Sequence, residues 1–161
     1  MSAPVDTAFR EMRNAVYREI NGNIRVISAF RSVERQETVF NNFLAQHPLE
    51  EVLRFSAKPG HSEHHTGLAI DVVGPCGTLR GFIDTMEGQW VQENAYRFGF
   101  IVRYKEETEH ITGYMDEPWH LRYIGAYAAA RMRERGILTF EEFRIRYVIN
   151  SADAHTRFES D

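Results

Sequence analysis

The periodicity of apolar side chains divides the chain into segments. Over residues 7–20, Phe9, Met12, Val16 and Ile20 recur at helical spacing, which predicts an amphipathic helix ending at the Asn21-Gly22-Asn23 turn signal. The run IRVISAF (24–30) alternates apolar and polar residues and predicts a strand. Ser32 can cap a second helix with Glu34 in its first turn, whose expected buried face is Val39, Phe40, Phe43 and Leu44. Residues 48–54 read as a short helix or turn. FSAKPGHSEHHTG (55–67) is a loop by its Pro, Gly and Ser content, whereas LAIDVV (68–73) reads as a strand buried on both faces. A helix is expected over 85–97, a strand at GFIVRY (99–104), a polar loop, and an extended segment at EPWHLRY (117–123). Two closing helices, 126–135 and 140–148, are separated by a stop at Gly136, and the last ten residues are polar enough to fray. No repeat or linker interrupts this order. It predicts one domain over 1–161, of the α+β class, with a small, largely antiparallel sheet flanked by helices.

Composition narrows the picture. A hydrophobic content of 43% and a charged content of 26% over 161 residues are those of a globular chain with a real core. The net charge is −4 and the Lys and Arg residues are scattered, which argues against a nucleic-acid partner. No apolar run approaches the roughly 20 residues of a membrane span, and no signal-peptide core follows Met1. The single cysteine, Cys76, excludes an internal disulfide and a cysteine-based zinc site.

One position in the apolar run is out of place. Asp71 lies between Ile70 and Val72, and a buried carboxylate must be paired or hold a metal. Arginine is one available partner. The alternative is a metal shared with the histidines just upstream: Gly67 breaks the strand, so His64 can turn back toward Asp71 from the loop, and Ala69 on the same face leaves room. His61 and His65 flank His64 and are rival ligands on spacing alone. His120, in DEPWHLRY, is the best third donor. Two imidazoles and a carboxylate describe a catalytic zinc set with one position left open. Glu117 stands three residues before His120, a spacing that needs a bend in the strand; Pro118 between them fits one. A carboxylate there suits a general base, although a surface loop position would also accommodate it. Arg31, at a strand end just before a helix N-terminus, could hold a substrate carboxylate or an oxyanion, or form a surface ion pair.

SEHHTGLAID carries Ser62, His64, Gly67, Ala69 and Asp71 in an S-x-H-x-x-G-x-A-x-D pattern, followed some fifty residues later by EPWH. Together these resemble the zinc D-alanyl-D-alanine carboxypeptidases of the VanY type. FRSVERQ resembles the family's Y-R-S-x-x-x-Q segment, FGFIVRYKEETEHITG resembles the stretch leading to E-P-W-H, and the likeness runs over residues 24–125. The resemblance implies a hedgehog/D,D-peptidase-like fold with one zinc ion on His64, Asp71 and His120, and Glu117 as catalytic acid and base. It also implies Arg31 as the substrate and transition-state arginine, with Gln36 and Ser62 contacting the C-terminal end of the peptide. The implied substrate is a peptidoglycan stem peptide ending in D-alanine. L,D-carboxypeptidases and D,D-dipeptidases use the same site, and a non-catalytic wall-peptide-binding module is a further alternative within the superfamily. Such an enzyme is expected in the cell envelope, its signal or anchor missing from this chain, or alternatively in the cytoplasm. Phe30 replaces the usual tyrosine and His65 the common glutamine, which bears on fine specificity.

Overall fold

The computed structural model describes residues 1–149. Helix α1 (Ala3–Ile20) begins four residues before the expected start, because Pro4 suits a first helical turn. It buries Val5, Phe9, Met12 and Val16, and ends at Asn21 in left-handed conformation. Each such fully buried apolar side chain contributes about 1.5–3 kcal/mol. Helix α2 (Val33–Leu44) is capped as expected: the Ser32 hydroxyl accepts from the Arg35 N–H. Its burial differs from the periodic reading. Gln36 and Phe40 are buried, Val39 and Phe43 are half-buried, and Leu44 is exposed. This helix lies beside a cleft rather than over the core, so Val39 and Phe43 line a cavity wall instead of packing inward.

Four strands form one sheet: β1 (Arg25–Ser28), β2 (Ala69–Val73), β3 (Phe100–Tyr104) and β4 (Glu117–Tyr123). Their spatial order is β1-β2-β4-β3 and every neighbouring pair is antiparallel. Strand β1 is shorter than the apolar alternation predicts. The reason is local: the Ala29 carbonyl is turned to His64 Nδ1, and the Arg31 N–H donates to the His64 carbonyl, so the chain leaves the ladder. Strand β2 is buried at all five positions, as its composition requires. Ile70 and Val72 join Phe100, Val102 and Leu121 in a core with α1 and with Trp90 and Val91 of helix α4 (Met86–Asn94).

Helix α3 (Leu49–Val52) contributes Glu51 to the cleft lining, and α5 (Glu109–Thr112) precedes β4. Thr85 proves to be the cap of α4, its hydroxyl accepting from the Gly88 N–H, and residues 95–98 tighten into a 3₁₀ turn before Gly99. Helices α6 (Ala126–Glu134) and α7 (Phe140–Arg144) share a smaller cluster of Met132, Ile137 and Phe143. After Arg144 the chain continues as a π-helical turn, Ile145–Ile149. The expected fraying of the last ten residues lies outside the described residues. No helix among the described residues is long and apolar enough to cross a membrane.

Candidate active site

The two central strands carry the site. Asp71 on β2 is the direct cross-strand partner of His120 on β4, so both side chains leave the same face of the sheet. His120 Nδ1 lies 3.1 Å from Asp71 Oδ1. His64 arrives from the loop, where Ser62 caps a 3₁₀ turn (Glu63–Thr66) and Gly67 takes a left-handed conformation with φ +68°. That turn brings His64 Nε2 to 3.2 Å from Asp71 Oδ2. The three candidate donor atoms lie within 4.8 Å of one another, and all three residues are buried. This is the set expected from the sequence.

Hydrogen bonds behind the rings select which nitrogens face inward. His64 Nδ1 is 2.6 Å from the Ala29 carbonyl, leaving Nε2 toward Asp71. His120 Nε2 is 3.4 Å from Glu63 Oε2, leaving Nδ1 toward Asp71. Such outer partners orient metal-ligating histidines. The rival histidines are placed elsewhere. His65 is engaged through both ring nitrogens, by the Arg31 carbonyl at 2.7 Å and the Gly60 N–H at 3.2 Å, and His61 is exposed on the cleft lip.

Buried nitrogen donors with one carboxylate, and outer bonds holding their lone pairs on one point, fit a divalent transition metal such as zinc. The electrostatics agree. Burial alone would lower the His120 pKa, but Asp71 and Glu63 outweigh it and push it up to about 9. Burial would likewise raise Asp71, yet its bonds from His120 and His64 hold it well below the usual carboxylate range. A field that holds protons this firmly also favours a cation.

Glu117 reaches this point through an irregularity in the sheet. Between the pairs Val102–Leu121 and Tyr104–Glu117, β3 advances two residues while β4 advances four. The resulting bulge supplies the bend that the spacing of Glu117 and His120 requires, and it contains Pro118, which has no N–H to offer a ladder. Glu117 Oε2 ends 3.9 Å from His120 Nδ1. It is buried but accepts no hydrogen bond among the described residues. Burial, and then the Asp71 charge, raise its pKa against the opposing pull of His120 and Arg31, to about 7.

Arg31 sits 3.6 Å from Asp71 Oδ2, so the arginine and metal readings of Asp71 are not exclusive. It donates to Gln36 Oε1 at 2.7 Å and to Ser28 Oγ at 2.9 Å. Gln36 is only 1% exposed, and its amide nitrogen donates to the Ala57 carbonyl at 2.7 Å. Gln36 thus orients the Arg31 guanidinium and also lines the cleft. Ser62 is buried at the cleft and accepts the His64 N–H at 3.3 Å, which leaves its own O–H to donate.

These groups face a cleft of about 390 Å³ whose apolar parts include Val39, Phe43, Phe55 and Trp119. A larger surface depression of about 530 Å³, around Arg13, Tyr17 and Asn23, brings together no buried titratable groups. Sequence reasoning missed Glu63, the outer partner of His120, and Arg103 behind it. The only signal for Glu63 was its place inside the histidine cluster, and none pointed to Arg103.

The fold and this convergence of buried donors define a metallopeptidase-like scaffold. The sequence profile of the VanY family, D-alanyl-D-alanine carboxypeptidase, matches residues 1–126, and the chain belongs to that family. YodJ of Bacillus subtilis (strain 168) is 39% identical over 139 residues, covering 84% of this chain and 50% of YodJ. The LdcB LD-carboxypeptidase structure superposes with a TM-score of 0.81 at 38% identity, covering 89% of this chain and 67% of that one. A vancomycin-resistance D,D-pentapeptidase VanY, from a VanB-type cassette and in complex with Zn(II), gives 0.77 at 30% identity, with 89% and 83% covered. The chain spans about half the length of the curated relatives it matches.

Proposed function

We propose that this chain is a zinc-dependent peptidase that removes the C-terminal D-alanine from peptidoglycan stem peptides or their precursors. One observation carries the reading: buried His64, Asp71 and His120 converge on a point that the unbonded carboxylate of Glu117 and the guanidinium of Arg31 also face. Zinc held by the three donors supplies Lewis acidity toward the scissile carbonyl and makes water easier to deprotonate. Glu117 takes the proton of the attacking water and returns it to the departing amine. Arg31, held by Gln36 and Ser28, opposes the negative charge that grows on the carbonyl oxygen. The Ser62 hydroxyl donates to the carboxylate at the end of the peptide. On mature wall this reaction belongs outside the membrane, and on precursors inside it.

The decisive experiment incubates the zinc-loaded protein with D-Ala-D-Ala, a stem pentapeptide and a stem tetrapeptide, and identifies products by mass. Release of one D-alanine from the pentapeptide is the expected result. The likeness to the LdcB LD-carboxypeptidase supports a second specificity on the same groups, whose product is a tripeptide from the tetrapeptide. Retention of all three substrates, together with zinc-dependent capture of a stem peptide, would replace the enzyme by a wall-peptide-binding module. Such a module has no need of Glu117 beside the metal position.

A further inference from the structure

Helix α7 lies beyond the residues matched by the family profile, yet a chain of charges links it to the metal cluster. We propose that Glu141 is a positioning residue for the metal centre, acting through Arg103 and Glu63 on the ring of His120. This rests on reading the cluster as a zinc site.

Arg103 is 7% exposed and its planar fork is divided between two carboxylates. Its Nε donates to Glu63 Oε1 at 2.9 Å, while Nη1 and Nη2 donate to the two oxygens of Glu141 at 3.0 and 2.5 Å. The other oxygen of Glu63 is the one that faces His120 Nε2. The guanidinium is held against the Tyr104 ring at 4.8 Å and the Phe140 ring at 5.9 Å, and Tyr104 lies in turn 5.1 Å from the His120 ring.

Without the Glu141 carboxylate, two N–H groups of a buried guanidinium lose their acceptors, which is costly. Among the described residues Glu63 is then the remaining carboxylate bonded to Arg103, and a bidentate grip is the geometry a guanidinium favours. That grip takes both Glu63 oxygens, including the one that faces His120. The His120 ring then loses the partner that keeps Nδ1 directed at Asp71. Glu141 thus prevents Arg103 from competing with His120 for Glu63.

The test uses the full chain. E141Q keeps the shape but offers one acceptor oxygen in place of two. Its zinc affinity, measured by chelator competition, should fall about tenfold, and kcat should fall while KM for the peptide holds. E141D should recover part of both losses, and it carries the same comparison if E141Q does not fold. T139A is the control for simple loosening of α7, because Thr139 caps that helix by accepting the Glu142 N–H at 3.2 Å and touches none of the charge chain. It should lower Tm and leave zinc affinity at the wild-type value. Equal affinity losses for T139A and E141Q at the same drop in Tm, or an E141Q that binds zinc like the wild type, would reduce Glu141 to a helix anchor. The double variant E63Q/E141Q should bind zinc no more weakly than E63Q alone, since both act through one route; additive losses would overturn that route. A wild-type protein that binds no zinc would remove this inference and the proposed function together, whereas wild-type binding with an unaffected E141Q removes this inference alone.

Discussion

Glu117 takes its chemistry from its surroundings. A glutamate in water is ionised above a pH of about 4.3 and is a poor proton acceptor, but burial and the nearby Asp71 raise this one to about 7. Replacing it by glutamine preserves shape and removes basicity, so E117Q should lose about 10²–10⁴ in kcat while elemental analysis still finds one zinc per chain. The sign of the pH effect follows from the direction of the shift. A base works when deprotonated, so kcat/KM should fall as pH drops through an acid limb at or below 7, where zinc pulls the limb downward. A pH–rate profile that rises toward acid would remove Glu117 from this role. Arg31 makes a different contribution, to charge that exists only in the transition state. R31A should lower kcat/KM by about 10²-fold or more, and R31K should recover little, because an ammonium lacks the planar fork whose two ends bond Gln36 and Ser28. Unchanged kinetics in R31A would leave Arg31 as an ion-pair partner of Asp71 and nothing more.

At the scale of elements, irregularities rather than regular strands bring the reacting groups together. A regular β4 would separate Glu117 from His120; the bulge opposite Tyr104 puts them within 3.9 Å. A second register shift, between Val26 and Ser28 of β1, sets Ser28 opposite Asp71, where its hydroxyl receives Arg31. Packing between elements also reverses a familiar propensity argument. Glycine inside a helix is ordinarily about 1 kcal/mol worse than alanine, so G88A in α4 would be expected to stabilise. A Cβ at Gly88, however, would sit 1.9 Å from the Phe82 carbonyl oxygen, which is backbone and cannot swing aside. G88A should therefore lower Tm, by an amount equivalent to about 1–3 kcal/mol or more. A melting curve at or above the wild-type Tm would show that Gly88 does not lie this close to the Phe82 carbonyl.

For the whole molecule, metal and stability are linked. The cluster joins a loop to both central strands, so a cation that binds it only when folded must stabilise the fold. At free zinc 100-fold above its Kd the linkage is worth about 2.7 kcal/mol. Treatment with a chelator should lower Tm accordingly, and re-addition of zinc should restore it. A Tm indifferent to both would mean that the three residues do not bind the ion in the folded state. The cleft itself is a product of the assembled molecule: α2, the 55–67 loop, β2, β4 and the 114–119 approach each contribute to its lining.

The linear chain by itself determined a good deal. Apolar periodicity placed α1 and β1, because burial of one face imposes a readable repeat; the Ser32 cap marked α2, the continuous apolar run marked β2, and the Asp71 anomaly marked the site, because an unpartnered buried carboxylate is too costly to be accidental. His64, Asp71, His120, Glu117 and Arg31 were all legible as candidates from residue type and motif. Residue spacing left His61, His64 and His65 as rivals; tertiary structure separates them, since backbone groups hold the His64 ring toward Asp71 and the His65 ring away from it, while His61 is exposed. It also decided that Gln36 bonds Arg31, that Val39 and Phe43 line a cleft, and that Glu63, Arg103 and Glu141 form one chain of charges. Those assignments depend on contacts between residues up to 57 positions apart, as in Glu63 with His120, and no local repeat carries that information.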